Sequence, residues 1–272
     1  MKLSYLFATD DCRAKRVLGF RGDLDKSCAE LKSFGYEGVE LMVRNPRELD
    51  QAGIVRTITQ HGLPVADIGA APIFGEDKLS LTDPDPEVRQ AIRGRLRDVV
   101  DLAARFGAQV HVGSLRGRLP EGTQAQEALA WLKEGLLDIA EYGQPKGVRV
   151  LLEPLNHFEA NVFLTVLEAV EFLRSLNHPN LGILPDTFHM NIEEGCLPAS
   201  LMAAREYITH VHFADSNRWY PGAGHINFRE VLEALRLIGY ERFITIEVKQ
   251  EPDPETAARR AAQTVRALLD TL

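Results

Sequence analysis

The chain has 272 residues, 45% of them hydrophobic and 26% charged, so it is long enough to bury a substantial core without covalent or metal staples. Its formal net charge of -8 and pI of about 5.5 argue against nucleic-acid binding, because phosphate recognition requires clustered lysine and arginine. The three cysteines, Cys12, Cys28 and Cys196, are widely spaced and form no CxxC pair, which argues against a disulfide framework or a structural zinc site.

Short apolar runs alternate with longer amphipathic segments along the whole chain, which is typical of βα units and a parallel sheet. The predicted strands cover residues 3–8, 38–42, 65–69, 109–113, 149–153, 181–186, 208–214 and 243–248. The predicted helices cover residues 23–34, 46–60, 86–106, 124–142, 166–176, 198–206, 228–238 and 254–272. Several of these helices are followed by a glycine as a stop signal, namely Gly35, Gly62, Gly107 and Gly239.

This alternation predicts an α/β fold, a (β/α)8 TIM barrel that forms a single domain over residues 1–272. The alternative is a doubly wound open sheet, but no GxGxxG turn follows an early strand. The first apolar stretch is short and meets Asp10 and Asp11, and no run is long enough to cross a membrane. We therefore expect a cytoplasmic protein without a membrane partner.

Metal-ligand residue types end the last four predicted strands: Glu153, Asp186, His212 and Glu247. In a barrel of this class, side chains at the C-terminal strand ends converge on the mouth. Each residue alone has an ordinary explanation: an ion pair, a helix cap or a core histidine. Together they would repel one another without a cation. The sequence therefore predicts one divalent metal ion, with Mn2+ expected and Mg2+ or Co2+ as alternatives.

The loops that follow these strands are rich in hydrogen-bonding groups, which favours a polyhydroxylated ligand. Glu159, His189 and Arg218 are candidate ligand contacts, and Arg218 lies in the segment ADSNRWYPGAGHINF. His225 in the same segment either orients a residue that contacts the ligand or is a simple loop residue. The remaining histidines that show no constellation are interpreted as structural: His61, His111, His178 and His210.

The chain resembles the sugar phosphate isomerase/epimerase superfamily, the xylose isomerase-like barrels, over nearly its whole length. Within it, the pattern is similar to the ketose 3-epimerases, which act on D-tagatose, D-psicose and related keto sugars. The resemblance implies that Glu153, Asp186, His212 and Glu247 bind the metal and that Glu159, His189 and Arg218 bind the sugar. It also implies that Glu153 and Glu247 are catalytic, one removing a proton next to the ketone and the other returning one.

Two segments, ILPDTFHMNIEE and HFADSNRWYPGAGHINFREV, resemble a bacterial epimerase that acts on 5-keto-L-gluconate. A sugar acid of this kind needs a cationic partner, and the loop GSLRGR offers Arg116 or Arg118 for its carboxylate. The expected partner is thus a small keto sugar or keto sugar acid. The oligomeric state is left open, with a homodimer and a homotetramer as the two alternatives considered.

Three rival functions remain from the sequence alone. An aldose–ketose isomerase of the hydroxypyruvate isomerase type would share the metal but move the proton between C1 and C2. A metal-dependent endonuclease would need more metal ligands and a basic face, against which the net charge argues. A non-catalytic sugar-binding barrel would not need both glutamates.

Overall fold

A computed structural model describes residues 1–122 and 124–272. Its strands lie where the apolar runs predict them, although several are shorter. They are β1 Lys2–Ala8, β2 Phe20–Arg21, β3 Gly38–Met42, β4 Val65–Gly69, β5 Gln109–Val112, β6 Val150–Leu152, β7 Leu181–Ile183, β8 Val211–Phe213 and β9 Phe243–Ile246.

The strands form one parallel sheet in the order β7-β6-β5-β4-β3-β1-β9-β8, with the short β2 paired to β1 outside this path. The two ends of the order meet through isolated parallel bridges, Ile183 with Ile208 and Asp186 with His212. The sheet is therefore closed, and the predicted (β/α)8 barrel is the fold of the chain.

The helices alternate with the strands, as parallel crossovers require. They are α1 Leu24–Ser33, α2 Gln51–His61, α3 Ala71–Gly75, α4 Pro86–Ala104, α5 Gln124–Gly143, α6 Val166–Leu176, α7 Thr187–Glu193, α8 Leu197–Ala203, α9 Phe228–Leu237 and α10 Pro254–Leu269. The clearest start signal is at α6, where Thr165 and Glu168 form a capping box. The glycines predicted as helix stops all have positive φ, which disfavours other residues at these positions.

The hydrophobic core lies between the barrel and the ring of helices. Barrel residues such as Ile68 and Val110 and helix residues such as Leu96 and Ile92 are fully buried in one cluster. Truncating one of these aliphatic side chains to alanine would cost about 2–5 kcal/mol of stability. The inside of the barrel differs because it also encloses charged groups, among them Glu40, which is 0% exposed.

Local details depart from the sequence prediction. The helix predicted over residues 46–60 is divided, because Asp50 accepts a hydrogen bond from the Gly53 N–H and starts α2 anew after a 3-10 turn at Pro46–Glu48. The elements β2, α3 and α7 were not predicted, since each is too short to show a periodic pattern. Among the described helices, none is long and apolar enough to cross a membrane.

Candidate metal centre and active site

Four side chains converge at the mouth of the barrel from four successive strand ends. Glu153 directly follows β6, His212 lies in β8 and Glu247 directly follows β9. Asp186 lies beyond the end of β7 and is the N-cap of α7, where one carboxylate oxygen accepts from the Phe188 N–H at 2.8 Å. Asp186 therefore caps α7 and also lies at the predicted metal site.

One ligand atom from each of Glu153, Asp186, His212 and Glu247 lies within 4.8 Å of the other three. His212 Nδ1 is 3.8 Å from Glu153 Oε1 and 3.4 Å from Glu247 Oε2. All four residues are buried. Three carboxylates and an imidazole around one point form an oxygen-rich set that a hard or borderline divalent ion prefers.

A glycine makes the space for Glu153. Gly113 follows β5, and a Cβ built there would lie 2.3 Å from Glu153 Oε2. Since that distance is far below van der Waals contact, any other residue at this position would displace the carboxylate. Gly113 was not singled out from the sequence, in which it reads only as a strand end.

Burial and charge act differently on the three acids. Burial raises the pKa of the Glu153 carboxyl to about 7, although the His111 and His212 imidazoles oppose the rise. Burial also raises the pKa of Asp186 to about 6, against the opposing charge of Arg218.

At Glu247 the effect of burial is outweighed by the Arg218 guanidinium and by His212, which lower the pKa to about 2. Burial alone would lower the pKa of His212, but the Glu40 and Glu247 carboxylates raise it well above its usual range. A metal that binds here therefore displaces protons.

Arg218 lies against two of the four residues. Its Nη1 is 2.9 Å from Asp186 Oδ2, and its Nη2 donates to Glu247 Oε2. The backbone of Arg218 has a φ of 65°, and its N–H donates to the Asp215 carbonyl at 2.8 Å. The loop between β8 and α9 thus fixes the guanidinium at the mouth.

His189 is the neutral imidazole of the site. Its Nδ1 accepts from Asn156, with Nδ1 to Asn156 Nδ2 at 2.6 Å, and its Nε2 lies 3.3 Å from Arg218 Nη1, which can only donate. That Nε2 faces the cluster, 4.0 Å from Asp186 Oδ2. Burial, with the Arg218 charge adding to it, lowers the pKa of His189 well below its usual range.

The remaining predicted contacts differ in exposure. The Glu159 side chain is 52% exposed at the rim, with Oε1 at 4.0 Å from His189 Nδ1. Arg116 is fully buried, whereas Arg118 is exposed, so of the two arginines only Arg116 lies inside. His225 is exposed and bonds Ser216 Oγ at 2.9 Å, which makes it a loop residue.

A second group of charges lies below the cluster and was not predicted from the sequence. Glu40 Oε2 lies 2.9 Å from His210 Nε2 and 3.0 Å from His212 Nε2, and His111 Nδ1 lies 2.5 Å from Asp67 Oδ2. The interpretation of His111 and His210 as residues without a constellation was therefore wrong. The available signal was a glutamate inside an otherwise apolar strand, GVELM.

The donor set fits a divalent metal ion. His212 Nδ1 is buried and has no hydrogen-bond partner among the described residues, although it faces two carboxylates. A buried imidazole nitrogen that faces buried carboxylates is the donor set that such an ion requires.

Comparisons with known proteins agree with this geometry. A family model described as a xylose isomerase-like TIM barrel matches residues 28–268, and the chain belongs to this family. Within it, the chain is 31% identical over 223 residues to a ketose 3-epimerase of Arthrobacter globiformis, covering 81% of this chain and 76% of the relative. It is 27% identical over 249 residues to the 3-dehydro-D-guloside 4-epimerase of Escherichia coli (strain K12), and the match covers 87% of this chain and 91% of the relative.

A solved structure has the same architecture. The D-allulose 3-epimerase from Methylomonas sp., in complex with D-allulose, superposes with a TM-score of 0.81 at 25% identity, covering 98% of both chains. The predicted fold and the predicted family are thereby confirmed. The relatives are epimerases, enzymes of the isomerase class.

Proposed function

We propose that the protein is a metal-dependent epimerase that inverts the carbon next to the ketone of a keto sugar or keto sugar acid. The observation that carries the proposal is the buried cluster of Glu153, Asp186, His212 and Glu247 at the barrel mouth. Kinship with epimerases that act on ketoses supports the same conclusion.

The four clustered residues would hold the ion, for which Mn2+ is proposed and Mg2+ or Co2+ are alternatives. When bound, a divalent ion would polarise the ketone and stabilise the negative charge that develops on its oxygen. Inversion further requires a proton acceptor on one face of the carbon and a donor on the other. Glu153 and Glu247 reach the site from β6 and β9. One takes the proton, the other returns a proton to the opposite face, and the roles exchange in the reverse reaction.

Three more side chains would orient the substrate. His189 would contact an oxygen next to the reacting carbon through Nε2, because Asn156 Nδ2 lies against the other ring nitrogen. Arg218, fixed beside Asp186 and Glu247, donates to a substrate oxygen from the same side. Glu159 at the rim accepts from a hydroxyl group farther along the sugar.

Arg116 favours the sugar acid over the neutral sugar. It is 0% exposed, and none of its three guanidinium nitrogens has a hydrogen-bond partner among the described residues. Burial lowers its pKa to about 10, with Glu153 and Glu159 opposing the shift, so it remains a cation near neutral pH. A buried cation without a bonded anion is unfavourable, and a substrate carboxylate would pair with it in bidentate geometry.

The reaction is tested by proton exchange. Mn2+-loaded protein is incubated in D2O with D-tagatose, D-psicose, D-fructose and 5-keto-L-gluconate, and the products are followed by NMR. Deuterium at the carbon next to the ketone, with the epimer accumulating, is the expected result. Deuterium at C1 or C2 with an aldose product would instead identify an aldose–ketose isomerase, and no exchange despite bound metal would refute the proposed reaction.

Two variants separate catalysis from general effects. Glu247→Gln is expected to lower exchange about 10²- to 10⁴-fold, since it removes one of the two proton-transfer groups. Glu241→Gln is the matched control, because Glu241 is exposed and lies just before the start of β9, away from the site. Equal activity of both variants would contradict the assigned role of Glu247.

The choice of substrate is tested at Arg116. Arg116→Met is expected to lower kcat/KM for 5-keto-L-gluconate roughly 10- to 150-fold, the value of a charge-assisted pair, and to leave D-tagatose nearly unchanged. Arg118→Met is the control, because Arg118 is exposed on the same loop. An equal loss for both substrates would show that Arg116 does not select a carboxylate.

A further inference from the structure

We propose that Glu40 is a positioning residue for the metal centre: its carboxylate holds the His212 ring so that Nδ1 points to the ion. This inference rests on the proposed function, because it assigns a role toward the same metal. Glu40 lies in β3, on the opposite side of the barrel from the strands that carry the four proposed ligands.

The two nitrogens of His212 face different surroundings. Nε2 lies 3.0 Å from Glu40 Oε2, and Nδ1 lies 3.4 Å from Glu247 Oε2. A carboxylate only accepts hydrogen bonds, so the Nε2 position must carry a proton. The lone pair that a metal needs is then available only at Nδ1, the nitrogen on the side of Glu153, Asp186 and Glu247.

Glu40 is itself held in place. Its Oε2 lies 2.9 Å from His210 Nε2, which in turn lies 2.8 Å from Thr245 Oγ1. Thr245 Oγ1 is 2.7 Å from Ser4 Oγ, so the polar contacts run from β3 through β9 to β1. A carboxylate fixed by buried partners on several strands can fix the ring that it bonds.

The ring of His212 is also confined by its neighbours. The rings of His111 and His210 pack edge-on against it, each with a centroid distance of 5.4 Å and interplanar angles of 89° and 83°. These two imidazoles fix the plane of the ring, and a flip of the ring within that plane would lose the bond to Glu40. The geometry therefore leaves one orientation, in which Nδ1 faces the three carboxylates.

Alternatively, Glu40 could be a ligand of a second metal site. Glu40, His111 and His212 also lie within 4.8 Å of one another. Coordination there would use Nε2 of His212, the nitrogen already bonded to Glu40, and would offer one carboxylate in place of three. The positioning role predicts one ion per chain, whereas the alternative predicts two.

The test is calorimetric titration of Mn2+ into the full-length protein, together with thermal unfolding. We expect one Mn2+ per chain and a 10- to 100-fold weaker affinity for Glu40→Gln, the usual effect of losing the carboxylate behind a histidine ligand. Thr245→Val is the matched control, because it disturbs the same buried contacts but leaves the Glu40–His212 bond. Its Mn2+ affinity should remain within about threefold of wild type even where its Tm falls.

Three outcomes would overturn the inference: unchanged affinity in Glu40→Gln, an equal loss in Thr245→Val, or two ions per chain. If the wild-type protein binds no Mn2+, the proposed function is overturned as well. Binding of Mn2+ by the wild type therefore separates failure of the Glu40 inference from failure of the proposed function. If Glu40→Gln does not fold, 15N NMR of histidine side chains in the Mg2+-loaded wild type decides. A proton on Nε2 of His212 supports the inference, and a proton on Nδ1 overturns it.

Discussion

Asp186 and His212 face each other in the parallel bridge that closes the barrel, and both contribute side chains to the proposed metal centre. The bridge is the weakest seam of the sheet, since β7 and β8 are joined only by isolated pairs and not by a continuous ladder. The backbone bond from the His212 N–H to the Pro185 carbonyl, at 2.9 Å, is part of this seam. A metal bound by Asp186 and His212 would therefore cross-link the closure of the barrel.

Metal binding is accordingly expected to stabilise the fold. At a free Mn2+ concentration of about one hundred times Kd, the free energy of unfolding should rise by about 2.7 kcal/mol, or roughly 5–10 °C in Tm for a chain of this size. Thermal unfolding with Mn2+ and with a chelator measures the difference. Asp186→Asn should abolish most of the shift, whereas an equal shift in that variant would place the stabilising ion elsewhere.

The affinity for Mn2+ is expected to decrease as the pH decreases. Glu153 and Asp186, with pKa values raised to about 7 and about 6, are ionised above these values and protonated below them. Protons therefore compete with the metal as the pH falls through this range, up to roughly tenfold in affinity per pH unit for each proton displaced. Calorimetry in buffers of different ionisation enthalpy measures the release, and buffer-independent heats would contradict it.

The barrel and its cluster of three acids and one histidine were predictable, because both depend on local pattern. Apolar runs such as GVELM set the strands, and a polar residue just after each late strand must lie at the mouth. Exact ends were less predictable: β7 stops at Ile183, so Asp186 reaches the site as a helix cap and not as a strand residue.

The features that were not predictable depend on contacts between distant strands. Glu40 in β3 and His210, just before β8, are 170 positions apart and meet only because their strands enclose the same barrel interior. The role of Gly113 likewise needs the Glu153 side chain in place, since nothing in the segment HVGSL indicates a close approach.

Gly113→Ala is expected to weaken metal binding with little loss of helix or sheet structure. The added Cβ would lie 2.3 Å from Glu153 Oε2, so the carboxylate must move away from its place in the cluster. We expect Mn2+ affinity to fall about 10- to 100-fold, as for other losses of ligand geometry. Gly94→Ala is the control: nothing lies within 4 Å of a Cβ there, and a mid-helix alanine should stabilise α4 by up to about 1 kcal/mol without changing affinity.

Arg116→Met is expected to make the protein more stable while it impairs use of the sugar acid. Arg116 is fully buried and lacks a bonded partner among the described residues, so an apolar side chain of similar length removes an unfavourable charge. A gain of about 1–4 kcal/mol in the free energy of unfolding would follow. Denaturant unfolding without substrate measures it. A loss of stability would mean that the guanidinium is satisfied within the fold and would remove the argument for a substrate carboxylate.

Asp215→Ala is expected to loosen the loop that presents Arg218. The buried Asp215 carboxylate accepts backbone N–H bonds from Ser216 at 2.7 Å, Gly222 at 2.8 Å and Ile226 at 3.1 Å, so it holds the loop at three points. Each such bond to a charged group contributes about 1.5–3 kcal/mol, and their joint loss should raise amide hydrogen exchange across residues 215–226 and raise KM. Ser216→Ala is the control: it removes the contacts of that hydroxyl with the ring and the backbone N–H of His225 but leaves the three bonds to the Asp215 carboxylate. Unchanged exchange in Asp215→Ala would mean that the loop is held by Trp219 and Tyr220 packing, and Arg218 would then keep its position without the carboxylate.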